Sequence, residues 1–408
     1  MQRKISTIQL RVGMYVAKLD TDWVNHPFWR TSFAIEDDAT IAKIRASGIR
    51  EVWIDTERGL DAANDANSPP AADPEASPPP AAAVAAPAVV AAPAREESMV
   101  HAMQKARRIC EAAREEVHAM FADARMGRAI SVKTVGPLVE EIASAVKGNA
   151  AALISVARLK THDDYTYLHS VAVCALMVAL SRELGLDDDA TRKAGFGGMM
   201  HDLGKALMPH DVLNKPGKLS VEEFDVMKTH AARGYDLLVE AGEADAVTLE
   251  VTLHHHEKID GSGYPHGLAA DAISMWARMG AVCDVYDAVT SRRPYKEGWD
   301  PALSVRRMAS WRGHFDEAVL RSFVKSVGIY PVGSLVRLRS EKLAVVVEPG
   351  RVSLVRPIVR VFFSTRSKEP IATHLLDLEN PRANDAIVGP EDPDQWGFTH
   401  LAKLWLPD

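Results

Sequence analysis

The run LHSVAVCALMVAL at 168–180 constrains the fold of this chain more than any other stretch. Within the helical pattern of 167–184 it is apolar on nearly every side. A helix with no polar face has to sit in the middle of a bundle, covered by other helices. Residues 150–330 show almost no strand alternation, so this region reads as all-α, and a further helix is expected around 135–146. Ahead of it Met103, Ala106, Cys110, Ala113, Val117, Met120 and Ala124 recur at alternating intervals of three and four. That stripe fits two arrangements equally, a coiled coil with a second copy through 98–125 or packing on its own domain.

The rest of the chain has a different texture. From residue 69 to 94, 20 of 26 positions are Ala or Pro, which reads as a semi-extended linker within 61–97. Residues 1–60 read as a small α/β module. LRVGMYVAKL gives a strand and turn about Gly13. DDATIAKIRASG gives a short helix capped by Asp37 or Asp38, with Ile41 and Ile44 inward, and IREVWID a second strand. Trp23, Phe28 and Trp29 in WVNHPFW fit its core or a docking surface, the core being the expected place. Past residue 330, SLVRL, LAVVVEP and PIVRVFF are β-branched runs cut by turn residues, a small antiparallel β appendage at 331–408. The expected fold is therefore mainly α across 98–330, with a small α/β module before it and a β-rich appendage after it.

Composition narrows the function classes. A net charge of −7 over 408 residues provides no global field for nucleic acid, and no basic stripe or aromatic platform compensates. An anionic ligand would need a local cluster of cations. Three cysteines, far apart and without CxxC spacing, argue against a disulfide framework and fit a reducing cytoplasm. The N-terminus has no apolar core of a signal peptide, and the uncharged run at 76–94 carries five prolines and is too weakly apolar to span a bilayer. No membrane span is expected.

The chemistry lies in the histidines. His169 is on the apolar helix, His201 and Asp202 are adjacent in GFGGMMHDLGK, His230 is in MKTHAARG, His255 and His256 are adjacent in HHHEKIDGSGYP, and Asp284 is in ARMGAVCDVYDAVTS. A lone histidine on an apolar face is more often a hydrogen-bonded core residue than a ligand. Adjacent His-Asp and His-His pairs shift that balance, because unpaired imidazole and carboxylate in apolar surroundings cost several kcal/mol, on the order known for buried polar groups. Five imidazoles and two carboxylates suffice for two metal ions, with Asp202 able to bridge them. Mixed His/carboxylate donors without thiolate suit octahedral Fe or Mn better than structural Zn. Two such ions would make a bridging water act as hydroxide near neutral pH and would neutralise a phosphate oxygen, which implies in-line hydrolysis of a phosphate ester.

HDLGK (201–205), VLNKPGKLS (212–220), HHEKIDGSGYPHGL (255–268) and DVYDAVTSRRPYK (284–296) together strongly resemble the HD-GYP domain, a branch of the HD phosphohydrolases that hydrolyses cyclic dinucleotides, chiefly cyclic di-GMP, in bacteria. The resemblance covers roughly 98–330 and implies an HD-type helical bundle. Residues 1–60, with GMYV and WxxHPF, resemble a module often found before such domains. The resemblance implies metal ligands at His169, His201, Asp202, His230, His255, His256 and Asp284, with Lys205 on the scissile phosphate, Arg293 and Lys296 on the other phosphates, and Tyr264 against a guanine. It makes Asp202 and Lys205 the expected catalytic residues. Some family members hold a third metal through a glutamate four positions before the first histidine. Here that position is Tyr165, so two metals are expected. Asp260 and Gly261 are expected to build the loop, and His254 to lie behind the ligands or at the surface. Asp287, three residues after Asp284, fits either a role orienting a ligand histidine or a cap or surface role. Arg292, Lys215 and Lys218 read as surface charge.

The expected activity is that of a metal-dependent cyclic di-GMP phosphodiesterase giving pGpG and/or GMP. Rivals are a phosphodiesterase for cyclic GMP-AMP and a catalytically weak cyclic-dinucleotide sensor. The GYP loop is a candidate contact for other signalling proteins.

Overall fold

The computed structural model describes residues 2–19, 32–35, 37–46, 49–61, 98–128, 132–160, 165–242, 244–291 and 298–406. The aromatic segment with Trp23, Phe28 and Trp29, the linker, Asp163, Asp164, and the stretch carrying Arg292, Arg293 and Lys296 lie outside them. The chain divides into two compact units, Met1–Glu96 and Glu97–Asp408.

The first unit is an antiparallel sheet in the order β1-β4-β2-β3, made of β1 (Gln2–Ser6), β2 (Tyr15–Leu19), β3 (Phe33–Ala34) and β4 (Glu51–Asp55), with one helix, α1 (Asp38–Ala46). Asp37 Oδ1 caps that helix through the amide of Thr40 at 2.7 Å. Ile41 and Ile44 lie in one core with Ile5, Val16, Val52 and Ile54.

The second unit begins with α2 (Met99–Arg125) and α3 (Gly136–Ala157). The 103–124 stripe is buried inside its own chain, where α2 packs on α3 and α4 (Tyr165–Glu183). Self-packing is therefore the arrangement that this stripe adopts. Helix α3 kinks at Asn149, whose carboxamide oxygen accepts from the amide of Ala152 at 3.0 Å and so caps its second half. Helix α4 is the central one. Val171, Leu176, Met177, Val178 and Leu180 are all buried, and it packs against α2, α3, α5 (Asp188–Met200), and two later helices, α10 (Met275–Thr290) and α12 (Glu317–Val327). Burying each large side chain stabilises by about 1.5–3 kcal/mol, enough in aggregate to carry an imidazole into the same interior. Between α5 and α10 come α6 (His210–Leu213), α7 (Val221–Lys228), α8 (His230–Ala241) and α9 (Ala246–His254), and α11 (Pro301–Ser310) precedes α12. No helix among the described residues is long and apolar enough to cross a membrane.

A second antiparallel sheet, ordered β8-β7-β6-β5-β9, follows the bundle: β5 (Leu335–Leu338), β6 (Lys342–Glu348), β7 (Ile358–Ser364), β8 (Glu369–Asp377) and β9 (Ile387–Pro390), with a final turn of helix, α13 (Pro393–Trp396). The three strands expected from sequence are β5, β6 and β7. The outer strands β8 and β9 are short of apolar alternation and neither carries a fully buried residue, which left them unmarked. The fold is thus a mainly helical HD-type bundle with an α/β region before it and a β-rich segment after it.

Candidate metal centre

The donors come from five separate places in the bundle. His169 projects from the first half of α4, and His201 caps the C-terminus of α5. Asp202 opens a 3-10 turn, Leu203–Leu207, that carries Lys205. His230 is the first residue of α8, His255 and His256 follow the end of α9, and Asp284 lies midway along α10. Gly204 makes this convergence possible: a Cβ there would lie 1.9 Å from the carbonyl oxygen of His230, so only glycine lets the turn meet the start of α8.

All seven predicted ligands meet. His169, His201 and Asp202 form one group able to hold an ion, and Asp202, His230, His255 and His256 form another, with Asp202 common to both. His169 Nε2 lies 3.2 Å from His201 Nε2 and 3.0 Å from Asp284 Oδ1. On the other side His230 Nε2 lies 3.3 Å from Asp202 Oδ1 and 3.4 Å from His255 Nε2. Asp284 Oδ2 stands 3.8 Å from His256 Nδ1. Apart from His256, these side chains are almost wholly closed to solvent.

The outer nitrogens explain the orientation of the rings. His201 Nδ1 donates to the carbonyl of Gly198 at 2.8 Å, His230 Nδ1 to that of Met227 at 2.7 Å, and His255 Nδ1 to those of Val251 and Thr252 at 3.0 and 3.1 Å. Each Nδ1–H is thereby committed outward and each Nε2 lone pair faces the centre. Asp202 Oδ1, buried among them, has no hydrogen-bond donor. Lone pairs and a bare carboxylate oxygen converging in a closed space are untenable without a cation. Five nitrogens and two carboxylates fit two divalent ions, and Asp202 spans both groups, with Oδ2 facing His169 and His201 and the bare Oδ1 facing His230 and His255.

The protonation pattern fits the same reading. Burial works against a charge on His169, but Asp202, Asp284 and Asp287 outweigh it and push its pKa up to about 10. A proton on Nε2 then stands where a cation would go. His255 is driven the other way, to about 3, first by burial and then by His201 and His230. Burial opposes charge on Asp202 too, yet His201, Lys205 and His169 hold it well below the usual carboxylate range.

The predicted substrate residues divide. Lys205 Nζ lies 2.5 Å from Asp202 Oδ2 and remains partly open to solvent. The ring of Tyr264 lies 4.6 Å from that of His256, centre to centre. Its loop is built from within: Glu257, buried, accepts from the amides of His266 and Leu268 at 2.8 and 2.9 Å, and Asp260 Oδ1 accepts from Ser262 N at 2.9 Å. Gly261 takes a φ of +78°, which admits the turn. Asp260 and Gly261 thus have the loop-building geometry expected of them. Arg293 and Lys296 lie outside the described residues, as does the side chain of Tyr165. His254 is buried behind the ligands, with Nε2 3.0 Å from His266 Nδ1 and Nδ1 3.3 Å from Glu250. Asp287 Oδ2 accepts from His169 Nδ1 at 2.6 Å, the contact that an orienting role would use.

Sequence reasoning missed Glu257, Lys160 and Ser291. Lys160 and Ser291 gather around Asp287. No spacing links them, since the contact from Lys160 to Asp287 spans 127 positions and is created by the fold alone.

Comparison with known proteins follows these residues. Residues 137–319 match the family model described as HD domain, and residues 2–135 match one described as a domain of unknown function. A protein of Pseudomonas aeruginosa named cyclic di-GMP phosphodiesterase PA4108 is 48% identical over 99% of this chain and 96% of its own length. The cyclic di-GMP phosphodiesterase response regulator RpfG of Xanthomonas campestris pv. campestris is 42% identical over 35% of this chain and 39% of its own. The 3'3'-cGAMP-specific phosphodiesterase 1 of Vibrio cholerae is 32% identical over 46% of this chain and 42% of its own.

Proposed function

This chain belongs to the HD-domain family, in its HD-GYP branch, and we propose that it is a metal-dependent phosphodiesterase that opens cyclic di-GMP to the linear dinucleotide pGpG and carries it on to GMP. The observation that carries the reading is the buried Asp202 carboxylate set between two groups of imidazoles, Oδ2 towards His169 and His201 and an unpartnered Oδ1 towards His230 and His255. Near-full-length likeness to a protein named for this activity supports the choice of substrate.

His169, His201 and Asp202 would hold one ion, and His230, His255, His256 and Asp202 the other, with Asp284 reaching towards both groups. When bound, the ions supply Lewis acidity towards water and towards a phosphate oxygen. A donor set of nitrogen and carboxylate oxygen without thiolate favours Fe or Mn. The remaining work belongs to side chains. Backbone carbonyls beneath His201, His230 and His255 keep the rings fixed, so little reorganisation is needed as charge develops. Lys205 is the cation placed beside the carboxylate common to both groups, where it would meet the scissile phosphate and stabilise its growing charge. Tyr264 forms the apolar wall next to His256 and takes the face of a guanine. Arg293 and Lys296 are assigned to the other phosphates. Three buried, unbridged cysteines agree with a cytoplasmic setting, where this messenger would be met.

Protein loaded with Mn or anaerobically with Fe, given cyclic di-GMP and cyclic GMP-AMP side by side, should release pGpG and GMP from the first at the higher rate. Asp202→Ala and His201→Ala should each abolish release. Full turnover by both variants would remove the assigned site, and faster turnover of cyclic GMP-AMP would replace the substrate.

A further inference from the structure

Lys160 is a buried cation that the reading above does not use. It follows the end of α3, and its side chain is fully closed to solvent. An ammonium in such a place costs several kcal/mol unless paired, on the order known for buried charges. Its partners are Asp287 Oδ2, which it contacts directly, and Ser291 Oγ at 2.9 Å. The same Oδ2 accepts from His169 Nδ1 at 2.6 Å, while Asp287 Oδ1 accepts from Ser291 Oγ at 3.2 Å. Both carboxylate oxygens are thus pinned from the side away from the metal centre, and His169 is pinned through them.

His201, His230 and His255 lean on neutral backbone carbonyls, whereas His169 leans on a full negative charge. That charge lies close to Asp202 and Asp284, which also face His169. Three carboxylates about one imidazole repel one another in a low dielectric. A cation on the outer carboxylate relieves the repulsion and leaves its hydrogen bond to His169 in place. We infer that Lys160 is a positioning residue for the His169 side of the metal centre: it anchors and charge-balances Asp287, which holds His169 Nδ1–H outward and Nε2 towards the ion. This rests on the two-metal reading proposed above.

Asymmetry between the two ions gives the test. The His169 group depends on Lys160, and the His230, His255 and His256 group does not. Metal-free full-length protein is titrated with Mn, free Mn is followed by its paramagnetic resonance signal, and melting by near-ultraviolet circular dichroism reports the fold. Wild type should take up two ions. Lys160→Met should weaken one of them by roughly tenfold to 100-fold, the range for loss of a partner behind a metal ligand, and leave the other unchanged. In an Asp287→Asn background, where the neutral amide needs no counter-charge, Lys160→Met should add little. Parallel weakening of both ions, or additivity with Asp287→Asn, would reduce Lys160 to a packing role and overturn the inference. So would two unchanged affinities in Lys160→Met. If Lys160→Met does not fold, Lys160→Gln, which keeps a donor without the charge, should still weaken one ion selectively, and unchanged affinities there overturn the inference equally. Wild type binding fewer than two ions would instead defeat the two-metal reading itself.

Discussion

At the scale of single residues the centre is a competition between protons and metal. The pKa of His169 lies near 10 in the metal-free protein, well above the ordinary histidine value of 6.5, so its proton stabilises the metal-free fold below that ordinary value. This stabilisation is lost as pH rises through about 10. On the proposed reading a metal displaces this proton, so uptake should release about one proton from His169, and affinity should rise with pH across the neutral range. Calorimetric titration with Mn in buffers of differing ionisation enthalpy should show the release. The gain in melting temperature on metal loading should widen from about pH 6 to about pH 9. A gain that shrinks over that interval would contradict the assignment of His169 as a ligand. Lys205 gives a second residue-scale prediction. Lys205→Met should keep both metals and lose turnover by about 10²–10³, the range for removing one preorganised donor to a developing oxyanion. Loss of metal in that variant would make Lys205 a structural partner of Asp202 only. All seven residues that meet at the centre were legible because adjacent His-Asp and His-His pairs and ordered motifs mark them. Lys160 and Glu257 act through tertiary contacts, and an isolated lysine or glutamate carries no spacing to read.

At the scale of elements, close approach between the Asp202 turn and α8 decides whether the two halves of the centre meet. A methyl at position 204 would collide with the carbonyl of His230 and crowd the amide of Gly234, 2.6 Å away, both rigid backbone. Gly204→Ala should therefore destabilise by about 1–3 kcal/mol or more, as overpacking does, and should also weaken the ion held through His230. Denaturant unfolding and Mn stoichiometry on the same preparation check both effects, and a variant with unchanged stability and two ions would show that the turn tolerates displacement. Helical elements were readable at this scale because α4 is apolar all round and residues 150–330 show almost no strand alternation. The partner of the α2 stripe was not readable, since a heptad looks the same whether it faces a second copy or α3. Only the observed burial of Met103, Ala106, Ala113 and Val117 within the chain distinguishes them.

At the scale of the molecule the β-rich segment is tied to the bundle by buried polar contacts. Arg158, two residues before Lys160, donates from its guanidinium to the carbonyl of Val332 at 2.9 Å and faces the Trp405 ring at 5.8 Å. Asp300 caps α11 through the amides of Ala302 and Leu303 at 2.9 and 3.2 Å, and its other oxygen accepts from the amide of Leu335 at 2.7 Å, at the start of β5. Removing 331–408 would take away the carbonyl that the Arg158 guanidinium donates to and the amide that donates to Asp300 Oδ2. Leaving a buried polar group without its partner costs about 1–3 kcal/mol, more for a charged group, a sizeable part of the stability of a typical domain. A protein spanning 97–408 should therefore melt cooperatively in near-ultraviolet circular dichroism, and one spanning 97–330 should not, although both contain every proposed metal ligand. Asp300→Ala in the longer protein should lower the midpoint too, because it leaves three backbone amides without their acceptor. If 97–330 melts cooperatively at the same temperature and takes up two ions, the β segment is an independent passenger rather than part of the frame that holds the end of α3 against the metal centre.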